Sequence, residues 1–180
     1  MKKLAILILL ALELAVCGCG TSSPSTVVNT STSGNWEAQL IGGKAEASKL
    51  NFVAAFSVLN SGPLTIPNPG FSFFNNNACF TNGTNASTQS GSATLVTGST
   101  NQVTGTLTYT VTSITPAGNT LSLSGNLTGT SNGTTGTTGT LSNGIVVGTW
   151  NLTGGQGDPS CVVKNGTFLM CQGTATCTAP

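Results

Sequence analysis

Residues 103–111 read VTGTLTYTV and carry the clearest strand pattern of the chain. Apolar or small residues stand at every second position from Val103 to Val111, and a threonine stands at each position between them. Because successive side chains of a β-strand point to opposite faces, this alternation predicts a strand with one buried face and one threonine face. Threonine also favours extended backbone, since it is branched at Cβ.

The same period of two recurs along the rest of the chain, and each such segment can bury one face only. Turn-forming residues separate the segments, including the pairs Asn143-Gly144 and Asn165-Gly166, which are typical of tight hairpin turns. We therefore predict about eight strands. They lie near Trp36–Ile41, Leu50–Leu59, Phe71–Phe74, Ser92–Thr97, Val103–Ile114, Thr120–Thr130, Ile145–Leu152 and Val162–Cys171.

Consecutive hairpins predict an all-β antiparallel meander occupying residues 35–180 as a single domain. A meander exposes the unpaired backbone of its two edge strands, and closure into an up-and-down barrel removes both edges. We therefore expect a barrel. A two-sheet β-sandwich is the alternative.

Residues 1–18 have the features of a signal peptide. Lys2 and Lys3 precede an apolar run that is too short to span a bilayer comfortably. Gly18-Cys19, which follows, resembles the lipobox of bacterial lipoproteins, and the resemblance implies acylation of Cys19. The Ser- and Thr-rich residues 19–34 then form a lipidated flexible tether.

Acylation implies a membrane partner, because lipid chains on Cys19 would hold a folded domain at the bilayer. The resemblance places the protein in the bacterial cell envelope. Residue 20 is Gly and not the Asp that marks inner-membrane retention in some bacteria, so we expect the outer membrane or cell surface.

The chain has six cysteines. Cleavage removes Cys17 and acylation uses Cys19, so an even number remains, which suits disulfides in an exported domain. Sequence alone leaves three pairings open. We favour Cys79 with Cys161 and Cys171 with Cys177, because a two-residue turn at Asn165-Gly166 would place Cys161 opposite Met170 and turn Cys171 to the other face. A zinc site is the alternative, but these cysteines lack paired CxxC spacing.

Charge and titratable residues restrict the function. The chain has no arginine and its formal net charge is +1, so it lacks the basic surface that nucleic-acid binding needs. It has no histidine, and after the leader its only carboxylates are Glu37, Glu46 and Asp158. General acid-base catalysis usually needs a histidine or a paired carboxylate. We therefore expect no catalytic residue, cofactor or metal, and predict that the protein is not an enzyme.

Gly34-Asn35-Trp36 is similar to the opening of calycin barrels, the lipocalins and avidins, whose first-strand tryptophan plugs one end of the barrel. In lipocalins an arginine from a late strand covers that tryptophan. Lys164 is the nearest cation in the expected order here. The stretch Gly148–Met170 also resembles uncharacterised bacterial lipoprotein domains, a family without a known function.

Two functions follow from this fold. The first is a structural or interaction role in the cell envelope, with a filled interior and a surface that meets another protein or a glycan. The alternative is binding of a small apolar ligand inside a calycin-like barrel. The residues predicted to line that interior are Phe52, Phe56, Leu107, Tyr109, Leu123 and Trp150.

Overall fold

The computed structural model of the protein describes residues 29–42, 47–68, 70–81, 87–134, 136–156, 158–173 and 177. The predicted signal peptide, Cys19 and the first part of the predicted tether lie outside the described residues.

Eleven strands form a single sheet, so the predicted all-β fold is confirmed. Short 3-10 helices at Ala47–Leu50 and Pro159–Cys161 interrupt the strands. The strand number exceeds our prediction, because three short strands were not expected as separate elements, namely Asn29–Thr32, Val58–Leu59 and Ser61–Pro63. The strands are β1 (Asn29–Thr32), β2 (Asn35–Ile41), β3 (Phe52–Ala55), β4 (Val58–Leu59), β5 (Ser61–Pro63), β6 (Phe71–Phe73), β7 (Ser87–Thr97), β8 (Gln102–Ile114), β9 (Ala117–Ser131), β10 (Thr138–Thr153) and β11 (Lys164–Gln172).

The sheet is a meander in which the last strand, β11, forms hydrogen bonds with β2, the first long strand. Its order is β5-β7-β8-β9-β10-β11-β2-β3-β6, and β11 pairs with β2 in antiparallel register. The two ends of this order, β5 and β6, do not pair with each other. The antiparallel sheet is therefore curled into a half-barrel, in keeping with the predicted up-and-down topology.

Alternation along β8 builds the two faces of the sheet as predicted. Val103, Leu107 and Tyr109 are at most 1% exposed. On the opposite face, the hydroxyls of Thr94 and Thr106 lie 2.9 Å apart in cross-strand register. The concave face is therefore apolar, and the convex face of this part of the sheet carries hydroxyls.

The tether boundary predicted from sequence needs a correction. Asn29–Thr32, assigned to the tether, form β1, which pairs in parallel with β10 and antiparallel with β4. The hydroxyl of Thr30, 1% exposed, contacts those of Thr97 and Ser131. The Ser and Thr content suggested a flexible segment, but backbone pairing and these buried hydroxyl contacts hold β1 in the sheet, so residues 29–32 belong to the folded domain.

The half-barrel has two ends. At the β1 end, Asn29 begins the first strand, and Ser131 donates its backbone N–H to the Asn101 carbonyl. The opposite end is here called the disulfide end, after the bond between Cys79 and Cys161. There Thr81 donates its N–H to the Thr115 carbonyl. Strand β8 runs from the first end to the second, a length of about 40 Å at the usual rise per residue.

Two Asn-Gly pairs that we predicted as turns lie inside strands. Asn143-Gly144 forms a bulge in β10, where Asn143 has a φ of 53°. A Cβ added to Gly144 would lie 2.5 Å from the Trp36 ring, so the glycine is needed for close packing. Asn165-Gly166 lies within β11, where Gly166 pairs with Trp150. The prediction of a turn at each pair was therefore wrong.

The disulfides join Cys79 to Cys161 and Cys171 to Cys177. This is the pairing we favoured, but the reason given for it was wrong. Met170 faces Val146 in the β10–β11 register. Cys161 lies in the long connection between these strands and reaches Cys79 across the disulfide end.

Candidate functional site

The residues predicted to line a ligand cavity are all buried in the interior of the half-barrel. Each of the six is at most 2% exposed, and all belong to one continuous apolar core. They are Phe52, Phe56, Leu107, Tyr109, Leu123 and Trp150.

Aromatic rings bring opposite ends of the sheet together across this core. The ring of Tyr109 on β8 lies 5.7 Å from that of Phe52, 5.9 Å from that of Phe56 and 6.4 Å from that of Phe71, centroid to centroid. Phe52 and Phe71 belong to the strands at the far end of the sheet order. Rings at these distances are in packing contact. The centre of the half-barrel is therefore occupied by side chains from both halves of the sheet.

The hydroxyl of Tyr109 is an exception within this apolar cluster. It is buried and has no hydrogen-bond partner among the described residues. Burial raises the pKa of the Tyr109 phenol well above its usual range, because the ionised form would lie in an apolar environment. A buried hydroxyl without a partner lowers stability by about 1–3 kcal/mol.

Replacement of Tyr109 by phenylalanine should therefore stabilise the protein. We expect the free energy of unfolding to rise by about 1–2 kcal/mol, because the ring contacts remain and an unpaired hydroxyl is removed. Urea denaturation at pH 7 measures this change. The Tyr109→Leu variant is the control, and it should lose stability because it removes the ring. A loss of stability in Tyr109→Phe would show that the hydroxyl has a partner.

The wild type and Tyr109→Phe should also differ in how their stability changes at alkaline pH. A phenol whose pKa is higher in the folded state contributes stability that is complete below the unfolded pKa and is lost as pH rises towards the folded pKa. The wild type should therefore lose about 1.4 kcal/mol per pH unit above roughly pH 10 through this group, and Tyr109→Phe should not. Tyr109 is the only tyrosine of the chain, so its ultraviolet absorbance reports this titration alone.

Trp36 on β2 lies in the interior of the half-barrel. It is 0% exposed and stacks on Phe56 with a centroid distance of 5.3 Å. Trp36 faces Gln172 in the β11–β2 register, whereas Lys164 begins β11 at the other end of that strand. Lys164 and Trp36 therefore lie at opposite ends of the β11–β2 pair.

The described carboxylates each have a local partner. Glu37 accepts a hydrogen bond from the Gln39 side chain at 3.2 Å. Asp158 caps the short helix that follows it, and hydrogen bonds from Ser160 hold the pKa of its carboxyl below the usual range. Glu46 lies outside the described residues. Within the described ranges, no three His, Cys, Asp or Glu side chains are grouped so as to hold a metal ion.

A polar depression of about 480 Å³ lies at the disulfide end. The residues that line it are Lys49, Asn76, Asn77, Ala78, Asp158 and Ser160. An adjoining cavity of about 10 Å³ shares four of these residues and also reaches Lys164. The structure describes four charged residues, and Glu37 is the only one that lies outside this pair of depressions. We call the two depressions together the polar pocket.

Sequence reasoning missed the polar pocket as a site. Its residues come from three chain segments that are far apart in sequence, and none of the segments contains a recognisable motif. Asn119, which is 0% exposed, helps to assemble this end. Its side-chain nitrogen donates to the carbonyls of Cys79 and Gln156, and its side-chain oxygen accepts from the N–H groups of Gly155 and Gln156. Because asparagine is common in turns, nothing in the sequence marks this one as buried.

Comparison with protein families, with curated proteins and with solved structures finds no match to this chain. A search of the described ranges for a helix long and apolar enough to cross a membrane is also negative.

Proposed function

We propose that this protein is a lipid-anchored component of the bacterial cell envelope with a structural or interaction role and no catalytic activity. The lipobox-like Gly18-Cys19 supports the anchor. The two disulfides are consistent with an exported domain, because such bonds persist in oxidising compartments.

The observation that carries the interaction role is the aromatic packing at the centre of the half-barrel. Rings from β3, β6 and β8 contact one another there. A filled interior leaves the outer surface as the place where a partner would bind. The described carboxylates support the absence of catalysis, because Glu37 and Asp158 are each engaged in local hydrogen bonds.

The anchor would orient the domain. Residue 29 follows Cys19 by ten positions, and ten residues reach at most about 35 Å when fully extended. The β1 end, which contains Asn29, would therefore lie towards the membrane. The disulfide end, about 40 Å further along the strands, would face away from it.

Metabolic labelling tests the anchor. In a bacterial host supplied with an alkyne-tagged fatty acid, we expect the wild type to carry the label and the Cys19→Ser variant to lack it. Cys17→Ser is the matched control and should stay labelled, because Cys17 would be removed with the leader. Retention of the label in Cys19→Ser, or an unlabelled wild type, would contradict this assignment.

A small ligand inside the half-barrel is the second proposal, and one observation favours it. The Tyr109 hydroxyl is buried without a hydrogen-bond partner among the described residues, and a bound molecule could accept a hydrogen bond from it. Native mass spectrometry of the Cys19→Ser protein, purified from an oxidising compartment, distinguishes the two proposals. A noncovalent adduct that is lost on denaturation supports the ligand, and a bare mass supports the filled interior.

A further inference from the structure

We propose that the polar pocket at the disulfide end binds a saccharide. This inference rests on the proposed interaction role and names the chemistry of the partner. A saccharide presents hydroxyl groups that both donate and accept hydrogen bonds, and its ring has an apolar C–H face. The pocket and the segment beside it offer a counterpart to each of these features.

Asn77 supplies a donor of fixed orientation. Its side-chain oxygen accepts hydrogen bonds from the backbone N–H groups of Cys79, at 3.1 Å, and Phe80, at 2.8 Å. The amide cannot be reversed without losing both bonds. Its nitrogen is buried and has no hydrogen-bond partner among the described residues. A buried donor without an acceptor lowers stability, so a ligand oxygen that reached this nitrogen would supply the hydrogen bond that the described residues do not.

The small cavity beside Asn77 has a size that suits a single ligand hydroxyl group. Its volume of about 10 Å³ is close to the space that one water molecule or one hydroxyl group occupies. It shares four lining residues with the larger depression, so a ligand in that depression would lie next to it.

The larger depression combines donors and acceptors. Asp158 supplies a carboxylate, Lys49 an ammonium group and Asn76 an amide. Opposite charges side by side do not select a strongly charged ligand. They suit hydroxyl groups, which can donate to the carboxylate and accept from the ammonium and amide groups.

Phe74 supplies an exposed aromatic ring on the same chain segment. It is 52% exposed, and it is the only aromatic among the large apolar side chains that are exposed in the described part of the chain. Its N–H donates to the Asn51 carbonyl, and the side chain of Asn75 donates to the Ser48 carbonyl. These bonds fix the segment against the short helix that carries Lys49. An exposed ring on the chain segment that also supplies residues to the polar pocket suits contact with the C–H face of a sugar.

The orientation derived from the anchor would present this pocket away from the membrane. A saccharide chain outside the bilayer could therefore reach it without competing with the lipid surface.

An oligosaccharide array containing neutral hexose, N-acetylhexosamine and hexuronate oligomers tests the proposal. The full chain, purified in detergent micelles, should bind members of at least one class, and calorimetry then gives the affinity for the strongest of them. We expect Phe74→Ser to weaken that affinity about tenfold. Asp158→Asn should weaken it severalfold while retaining the helix cap, because asparagine caps as well as aspartate.

Val96→Ser is the matched control, since Val96 is 63% exposed on β7, outside the polar pocket. It should leave the affinity unchanged. Absence of binding to every class, or equal affinity in the wild type, Phe74→Ser and Asp158→Asn, would overturn the proposal. Binding is measured on protein in detergent and does not require the lipid. Its failure is therefore distinguishable from failure of the anchor, which the Cys19→Ser labelling reports separately.

Discussion

Replacement of both Cys79 and Cys161 by serine is expected to lower the free energy of unfolding by about 4 kcal/mol. The two cysteines are separated by 82 residues in sequence. In the chain-entropy account, a crosslink stabilises the folded state by restricting the unfolded chain, and the effect grows with the length of the closed loop. Urea denaturation under non-reducing conditions measures the change.

The second disulfide provides the control for this expectation. Cys171 and Cys177 are separated by six residues, so their double serine variant should lose only about 2 kcal/mol. A larger loss for this short loop than for the Cys79–Cys161 loop would contradict the entropic explanation. It would instead indicate that the Cys171–Cys177 disulfide contributes mainly by holding Cys177 in its buried position.

Replacement of Trp150 by alanine should destabilise the protein by about 4 kcal/mol, which is typical of a large buried aromatic residue. Trp150 on β10 is 1% exposed, and its indole N–H donates to the Ile41 carbonyl on β2 at 3.1 Å. Gly166 on β11, the strand between them, lies so close that an added Cβ would be 2.6 Å from the indole nitrogen. The side chain therefore links β10 to β2 over this glycine. Thermal and urea unfolding measure the loss.

Trp36 allows the hydrogen bond to be separated from the packing. Its indole nitrogen is buried without a partner among the described residues. Trp150→Phe loses ring area and a hydrogen bond, whereas Trp36→Phe loses ring area and an N–H group whose burial without a partner is unfavourable. We expect Trp150→Phe to be the more destabilising by about 2 kcal/mol. Equal losses would show that the bond to Ile41 contributes nothing measurable.

The Asn-Gly pairs show where local sequence was insufficient. Both Asn143-Gly144 and Asn165-Gly166 carry a strong turn signal, and both lie inside long strands. In each pair the glycine lies against a tryptophan ring, Trp36 for Gly144 and Trp150 for Gly166. Glycine serves close packing at these positions. A local pattern cannot distinguish a glycine that forms a turn from one that allows close packing, because the tryptophan is far away in sequence or in a neighbouring strand.

The candidate site also has one part that the sequence could predict and one part that it could not. The interior residues could be predicted, since Leu107 and Tyr109 are marked by alternation along their own strand. The polar pocket could not, because Lys49, Asn77 and Asp158 belong to different segments and carry no shared pattern. Only the crossing of those segments at the disulfide end brings them together.

By itself, the sequence determined the all-β class, the buried and exposed faces of the long strands, and a meander of antiparallel hairpins. These features depend on the alternation of side chains and on local backbone preferences, which act over a few residues. Tertiary structure alone decided the inclusion of β1, the closure of β11 on β2, the packing of Tyr109 against Phe52 and the assembly of the polar pocket. Each of these depends on contacts between distant segments, whose free energy is gained only when the whole sheet has curled around its core.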